Sequence, residues 1–288
     1  MNIADVRDPA HSREQGGERW SQWSSIPMIE LSALSTVQFV TAMIPHPRQR
    51  ILEVGCGNGY LSLELARAGH HVVGLDRSQE ILAVADQTRS VHPLLPGAGD
   101  LEYIHGAIET WPGAEHSFEI VVVNRALHHL HDLAGALASI RRLLVPAGLF
   151  ICQDYAYDRL TPATADWAYG IQRLLFLSEL ARENPTTEPD DIASARAFAS
   201  AWGERAEQRQ HPLNRYAEML QALQVHFHQQ HFSWVPYLFV YLGNSIRKVA
   251  PEKERALLTF LRDMEQHLIA TERIQAVGFR YVGRAASE

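Results

Sequence analysis

Cysteine is scarce in this 288-residue sequence: Cys56 and Cys152 are the only two, so a disulfide framework is excluded and both thiols are expected to stay reduced. Positive charge is thin as well. Twenty-six Lys and Arg face 33 Asp and Glu, a formal charge of -7, and the basic residues form no stripe that could neutralise phosphates. Nucleic acid is therefore a poor partner, and a neutral or cationic small molecule fits better. Long apolar runs are missing: no stretch reaches the roughly 18 consecutive apolar residues of a spanning helix. The opening MNIADVRDPAHSREQGGERW lacks a cationic start followed by an apolar run, so a cytoplasmic protein with no membrane partner is expected. Internal repeats and low-complexity tracts are absent too. The fifteen histidines are scattered from His11 to His267 without ligand spacing, and no metal site is expected.

What is present is a 46% hydrophobic composition, ample for a core, and a clear alternation of short apolar runs with amphipathic stretches. Ser32 or Ser35 can cap a helix through Val37, Val40 and Ile44, stopped by Pro45 and Pro47. Strands are predicted at 50–54, 71–75, 101–105, 118–123 and 149–153, with helices from Leu61, over 79–88 and over 133–144. Beyond Asp154 the pattern becomes helical, over 163–182 and 192–209 around the loop 184–189. Late strands at 225–234 and 276–282 flank helices over 237–248 and 252–269. The expected class is α/β: a doubly wound, mostly parallel seven-stranded sheet with helices on both faces and an inserted helical cap. The expected boundaries are an N-terminal flap over 1–31, a cofactor-binding core over 32–156, the cap over 157–223, and the last strands of the core with a helical insertion over 224–288. In the flap, Trp20, Trp23, Ile26 and Ile29 recur at three-residue steps, as on one side of a helix or turn that closes over the site.

The most informative segment is Ile51-Leu52-Glu53-Val54-Gly55-Cys56-Gly57-Asn58-Gly59, followed by Val73-Gly74-Leu75-Asp76. Glycines after a buried strand let the backbone turn sharply and approach a ligand. Asp76, at the end of the second strand, places a carboxylate where ribose hydroxyls can donate to it, so an adenosine-bearing ligand is implied. A dinucleotide fingerprint needs Gly-x-Gly-x-x-Gly, but position 60 is Tyr, which disfavours a nicotinamide cofactor. A carboxylate at Glu53 would repel a pyrophosphate and tolerates a cationic sulfonium and ammonium.

On these residues the sequence resembles the class I (Rossmann-like) S-adenosylmethionine-dependent methyltransferases, in particular the small-molecule group that includes the ubiquinone and menaquinone enzymes. The resemblance covers roughly residues 35 to 155. It implies S-adenosyl-L-methionine as cofactor, with the loop Glu53, Gly55, Cys56, Gly57, Asn58 and Gly59 around the methionine portion. It places Asp76, with Arg77 beside it, at the ribose, and Asn124 and Arg125 along the cofactor. The family's Gly-Asp-Ala after the third strand is replaced by His105-Gly106-Ala107-Ile108-Glu109, so adenine is left to the backbone at Ala107 and Ile108 or to a shifted Glu109. Segment 143–149, Leu-Leu-Val-Pro-Ala-Gly-Leu, is similar to the family's helix-turn-strand marker. Neither Asn-Pro-Pro-Tyr nor Pro-Cys follows the fourth strand, where nucleic-acid methyltransferases carry them.

The implied reaction is methyl transfer to a nucleophilic O, N or C atom of a small, hydrophobic or aromatic molecule. The rival is a cofactor-binding protein with a non-methylating, cyclase or regulatory role. His128, in the family's Leu-His-His-Leu segment, reads either as a general base or as a packing residue that holds its loop. Tyr155, with Asp154 and Tyr157 after strand five, is the second catalytic candidate and an acceptor wall. A homodimer formed through the aromatic late segments is compatible with any of these readings.

Overall fold

The computed structural model describes residues 25–91, 93–181, 213–247 and 249–285. Trp20, Trp23, Trp202, the loop 184–189 and the helix expected over 192–209 lie outside the described residues. Seven strands, β1 (Arg50–Val54), β2 (His71–Asp76), β3 (Leu101–His105), β4 (Phe118–Asn124), β5 (Leu144–Tyr155), β6 (Phe227–Val235) and β7 (Gly278–Ala285), form one sheet in the order β3-β2-β1-β4-β5-β7-β6. The pairs from β3 through β5 are parallel, and β7 runs antiparallel to both β5 and β6. The chain order reverses between β1 and β4. This is a topological switch point, and sheets of this kind bind ligands beyond the carboxyl ends of the strands there.

The apolar runs form strands because both sheet faces are covered. Ile51, Ile120, Val122, Ile151 and Val282 pack with Phe39, Leu61 and Leu65 on one face. Their neighbours Leu52, Val121, Val123, Phe150, Cys152 and Tyr281 pack with Leu137, Ile140, Met219 and Leu223 on the other. The first face is covered by α1 (Ile26–Met43) and α2 (Tyr60–Arg67), the second by α4 (Leu133–Leu143) and α6 (Tyr216–His226). Helix α3 (Gln79–Val91) joins β2 to β3. A third cluster holds α5 (Pro162–Leu177), α7 (Leu238–Asn244) and α8 (Pro251–Ala270) together with Met28. The described parts of the expected cap thus divide: α5 joins this helical cluster, whereas α6 belongs to the main core.

Helix α1 is long and apolar enough to cross a membrane by length and mean hydropathy, 1.3 over its 18 residues. In the fold it instead seats Phe39 and Val40 in the core and ties Glu30 to Arg255 of α8. Residues Ile29–Ala33 form a π-helical turn within it, an irregularity common at functional sites. Local chemistry sets several helix starts. Asp132 accepts from Gly135 N–H (2.9 Å) to begin α4, and Thr161 with Pro162 begins α5. Strand β5 starts five residues earlier than the sequence pattern indicates. Pairing with β4 begins at Leu144 and resumes at Leu149 past an irregularity where Ala147 adopts φ 55°.

Candidate active site

The glycine loop leaves β1 with Gly55, Gly57 and Gly59 all in the left-handed region, at φ 70°, 56° and 74°. Gly55 and Cys56 both donate to Leu75 O (2.8 and 3.2 Å), which pins the loop to the end of β2. Gly59 begins α2 from beneath: the Tyr103 hydroxyl donates to its carbonyl (3.0 Å) and lies 2.1 Å from where a Cβ would stand. Only glycine fits there.

Asp76 is fixed by two backbone donors, Gly57 N–H to Oδ2 and Ser78 N–H to Oδ1, both 2.9 Å. Each carboxylate oxygen retains acceptor capacity. Glu53 is 2% exposed, and Ser62 donates to its Oε2 at 2.5 Å. Burial pushes its pKa up to about 8, with the Ser62 hydrogen bond opposing. The carboxyl is thus mostly protonated near neutrality until a cation arrives. This refines the charge argument from the sequence, which took Glu53 as ionised. Burial also pushes the Cys56 thiol up, so it lines the loop as an inert group.

A cavity of about 140 Å³ opens over the loop, lined by Glu53, Gly55, Cys56, Gly57, Asn58, Asn124 and Arg125, with Ala33 and Thr36 of α1, Tyr60 and Leu61 closing it. Asn124 Oδ1 is buried there with no hydrogen-bond partner among the described residues. An orphaned acceptor calls for a donor from a ligand. Of the other expected cofactor residues, Arg77 is exposed with Nη1 2.8 Å from His131 Nε2, and the Ile108 side chain sits in the core. Gly59, Asp76, Arg77, Ala107 and Ile108 do not line the cavity; Asp76 stands beside it through its hydrogen bond to Gly57 N–H.

Residues 52–152 match the family model described as a methyltransferase domain. This segment is a class I methyltransferase domain. The loop has the groups that S-adenosylmethionine would need: acceptor capacity on Asp76 for ribose hydroxyls, a buried carboxyl at Glu53 that suits a cation, and an orphaned acceptor on Asn124 that suits an ammonium. The domain is 36% identical over 126 residues to a ubiquinone biosynthesis O-methyltransferase of Hahella chejuensis, covering 43% of this chain and 50% of that relative. A mitochondrial protein of the same name from Schizosaccharomyces pombe is 28% identical over 152 residues, covering 51% and 54%. The chain thus spans about half the length of these curated relatives. An S-adenosylmethionine-dependent methyltransferase of Methanosarcina mazei shares the fold at TM-score 0.53 and 16% identity, covering 87% of this chain and 98% of that one. A geranyl diphosphate C-methyltransferase of Streptomyces coelicolor does so at 0.54 and 12%, covering 99% and 88%.

A second cavity of about 470 Å³ adjoins the first, and Arg125 lines both. Arg125 has φ 54°, with its N–H on Gln153 O (2.8 Å) and its guanidinium on Ser32 Oγ (2.7 Å). Gln153 in turn donates to Thr36 Oγ1 and accepts from Arg280 Nε, both at 2.7 Å, so α1 is moored to the sheet along the seam between the cavities. Trp234, Tyr237 and Phe239 give the second cavity aromatic walls. Glu265 of α8 holds two of these: its carboxylate is fully buried and accepts from Tyr237, Leu238 and Phe239 N–H at 2.8 to 3.0 Å.

His128 is 1% exposed, with Nδ1 2.5 Å from Asp154 Oδ1 and its N–H 3.2 Å from Oδ2. Its Nε2 is buried without a partner among the described residues. Asn214 fastens this turn by donating to Leu127 O, Leu130 O and His128 O. Tyr155 packs edge-on to His128, with ring centroids 4.4 Å apart, and stacks on Tyr237 at 4.5 Å. Asp154 lines the larger cavity, whereas the His128 and Tyr155 rings stand behind that wall. Among the described residues no group of three His, Cys, Asp or Glu side chains is placed to hold a metal. Sequence reasoning missed Ser62, Tyr103, Asn214, Gln153, Glu265 and Arg280. Ser62 lies only nine residues from Glu53 but outside the glycine motif, and each of the others is an isolated polar residue whose partner is distant in the chain.

Proposed function

We propose that the protein transfers the methyl group of S-adenosylmethionine to a nucleophilic O, N or C atom of a small hydrophobic or aromatic molecule. The observation that carries this is the shared wall: the cavity over the glycine loop and a second, aromatic-walled cavity meet at Arg125. The bound cofactor supplies an electrophilic methyl on a sulfonium. The chain's own task is then to align the acceptor and exclude water. Asp76 and the glycine loop fix the adenosine and methionine portions, and Trp234, Tyr237 and Phe239 orient the acceptor. The π-helical turn of α1 covers the junction.

For an acceptor hydroxyl or ammonium, the proton is proposed to pass to the Asp154–His128 pair: Asp154 lines the acceptor cavity, and His128 meets its Oδ1 through Nδ1 from behind that wall. Tyr155 is proposed to brace that ring. The acidic balance supports a small molecule over a nucleic acid, and we propose a cytoplasmic location.

The test is production of S-adenosylhomocysteine from S-adenosylmethionine with a panel of phenols, amines and enols. Acceptor-dependent turnover that falls in His128→Asn and Asp154→Asn, with a changed pH profile, is expected. Cofactor binding without turnover on any class of nucleophile would overturn the reading.

A further inference from the structure

The larger cavity has a charge that the whole chain does not. Against a net charge of -7, its wall carries Arg125, Arg262 and Arg280 and a single carboxylate, Asp154. Asp154 is already engaged, accepting from His128 N–H, from Tyr155 N–H and across the short contact to His128 Nδ1. Arg280 decides the matter. It comes from β7, donates to Gln153 Oε1 (2.7 Å) and to Ser35 O and Oγ (3.2 and 2.9 Å), and lies over the Phe39 ring. Every one of these partners is neutral, and among the described residues no carboxylate lies within ion-pair distance of it. A guanidinium drawn out of water with no counter-charge is costly unless something supplies one. Arg262 stands at the rim, one-third exposed, with Asp263 as its partner.

We infer that the acceptor is an anion: an aromatic or otherwise apolar molecule bearing a carboxylate or phosphate group, which Arg280 receives, with Arg262 at the rim. The inference rests on reading this cavity as the acceptor site, and it reverses the expectation of a neutral or cationic substrate drawn from the overall charge. The planar guanidinium fork suits both anions, since each offers paired oxygens. The aromatic walls take the body of the ligand, and a cavity of about 470 Å³ is within the size range of small-molecule sites.

The experiment uses protein saturated with S-adenosylhomocysteine, whose binding is verified separately by a melting shift. Binding of 3,4-dihydroxybenzoate, phenyl phosphate and neutral catechol is measured by calorimetry. One or both anions should bind about tenfold or more tighter than catechol, and the tighter of the two identifies the group. Arg280→Gln and Arg262→Gln should erase that preference, and Arg262→Gln, at the rim, should leave S-adenosylhomocysteine affinity unchanged. Should Arg280→Gln fail to fold, Arg262→Gln decides alone. Equal binding of catechol and the anions, no measurable anion binding, or a preference that survives every folded variant overturns the inference. Anion binding with no methyl transfer to dihydroxybenzoate would count against the proposed reaction while leaving the anion site standing.

Discussion

The two cavities share Arg125 but are built in different ways. Most of the cofactor cavity and the Asp76 carboxylate beside it come from one short strand-loop-helix-strand unit, Glu53 to Asp76, and backbone geometry does most of the work: three left-handed glycines and two N–H donors onto Asp76. The larger cavity gathers Leu31, Arg125, Asp154, Trp234, Arg262 and Arg280 from across almost the whole described chain. The first is a local device that any acceptor can be offered to. The second depends on long-range packing, so substitutions there should alter the choice of acceptor without touching the cofactor.

The largest expected effect on ligand binding breaks the local device. With S-adenosylhomocysteine at 100 times its dissociation constant, the wild type should gain about 2.7 kcal/mol of stability. Asp76→Ala should remove that gain, lowering affinity by about a hundredfold or more, because both carboxylate acceptors are lost. The melting midpoint with and without ligand reads it. An unchanged shift would mean that the ribose is held elsewhere.

Gly59→Ala attacks the same unit through sterics. Its Cβ would stand 2.1 Å from the Tyr103 oxygen and 2.8 Å from Ala85 Cβ, at φ 74°. A loss of about 2 to 4 kcal/mol in urea denaturation is expected. Adding Tyr103→Phe should recover part of it by removing the closest atom, at the cost of the hydrogen bond to Gly59 O.

Glu265→Gln tests the long-range cavity. It replaces one of two oxygens that accept from three buried backbone N–H groups with a donor, so about 1 to 3 kcal/mol of stability should be lost. Tyr237 and Phe239 should shift with the start of α7. If the two regions are built as independently as their contacts indicate, S-adenosylhomocysteine affinity stays near the wild-type value while acceptor affinity drops. Equal losses in both would show that the cavities are coupled through α1.

This contrast also explains what was legible in the sequence. Strands β1 and β3 match the apolar runs residue for residue, and Glu53, the glycines and Asp76 were readable because their partners lie within the same unit. Asp154 and His128 were both noted, but not as a pair, since 26 residues separate them. Glu265 reads as one more polar position on a charged helix, yet it is fully buried against the start of α7. Arg280 alternates with apolar neighbours as an outward strand residue would, and only α1 lying across that face turns outward into inward. Periodicity reports which residues share a face; it does not report what covers that face.

The effect that probes how the local device meets a cation is the pH dependence of Glu53. Its carboxyl is raised in the folded chain from an ordinary 4.5 to about 8, so between those values the native state holds a proton that the unfolded chain has released. Stability must then fall as pH rises through this window, by at most about 1.4 kcal/mol per pH unit from this group. Glu53→Gln should flatten that component, and the difference from wild type isolates it from Glu265, whose carboxyl burial also raises. A cation placed beside Glu53 favours the ionised form, so the stabilisation by S-adenosylmethionine should grow between pH 6 and pH 8.5 in the wild type and stay level in Glu53→Gln. S-adenosylhomocysteine keeps the ammonium but lacks the sulfonium. If it shows the same growth, Glu53 answers the ammonium, and if only S-adenosylmethionine does, it answers the charge that the reaction consumes. Matching slopes in wild type and Glu53→Gln would mean that the glycine loop recognises its ligand without this carboxyl.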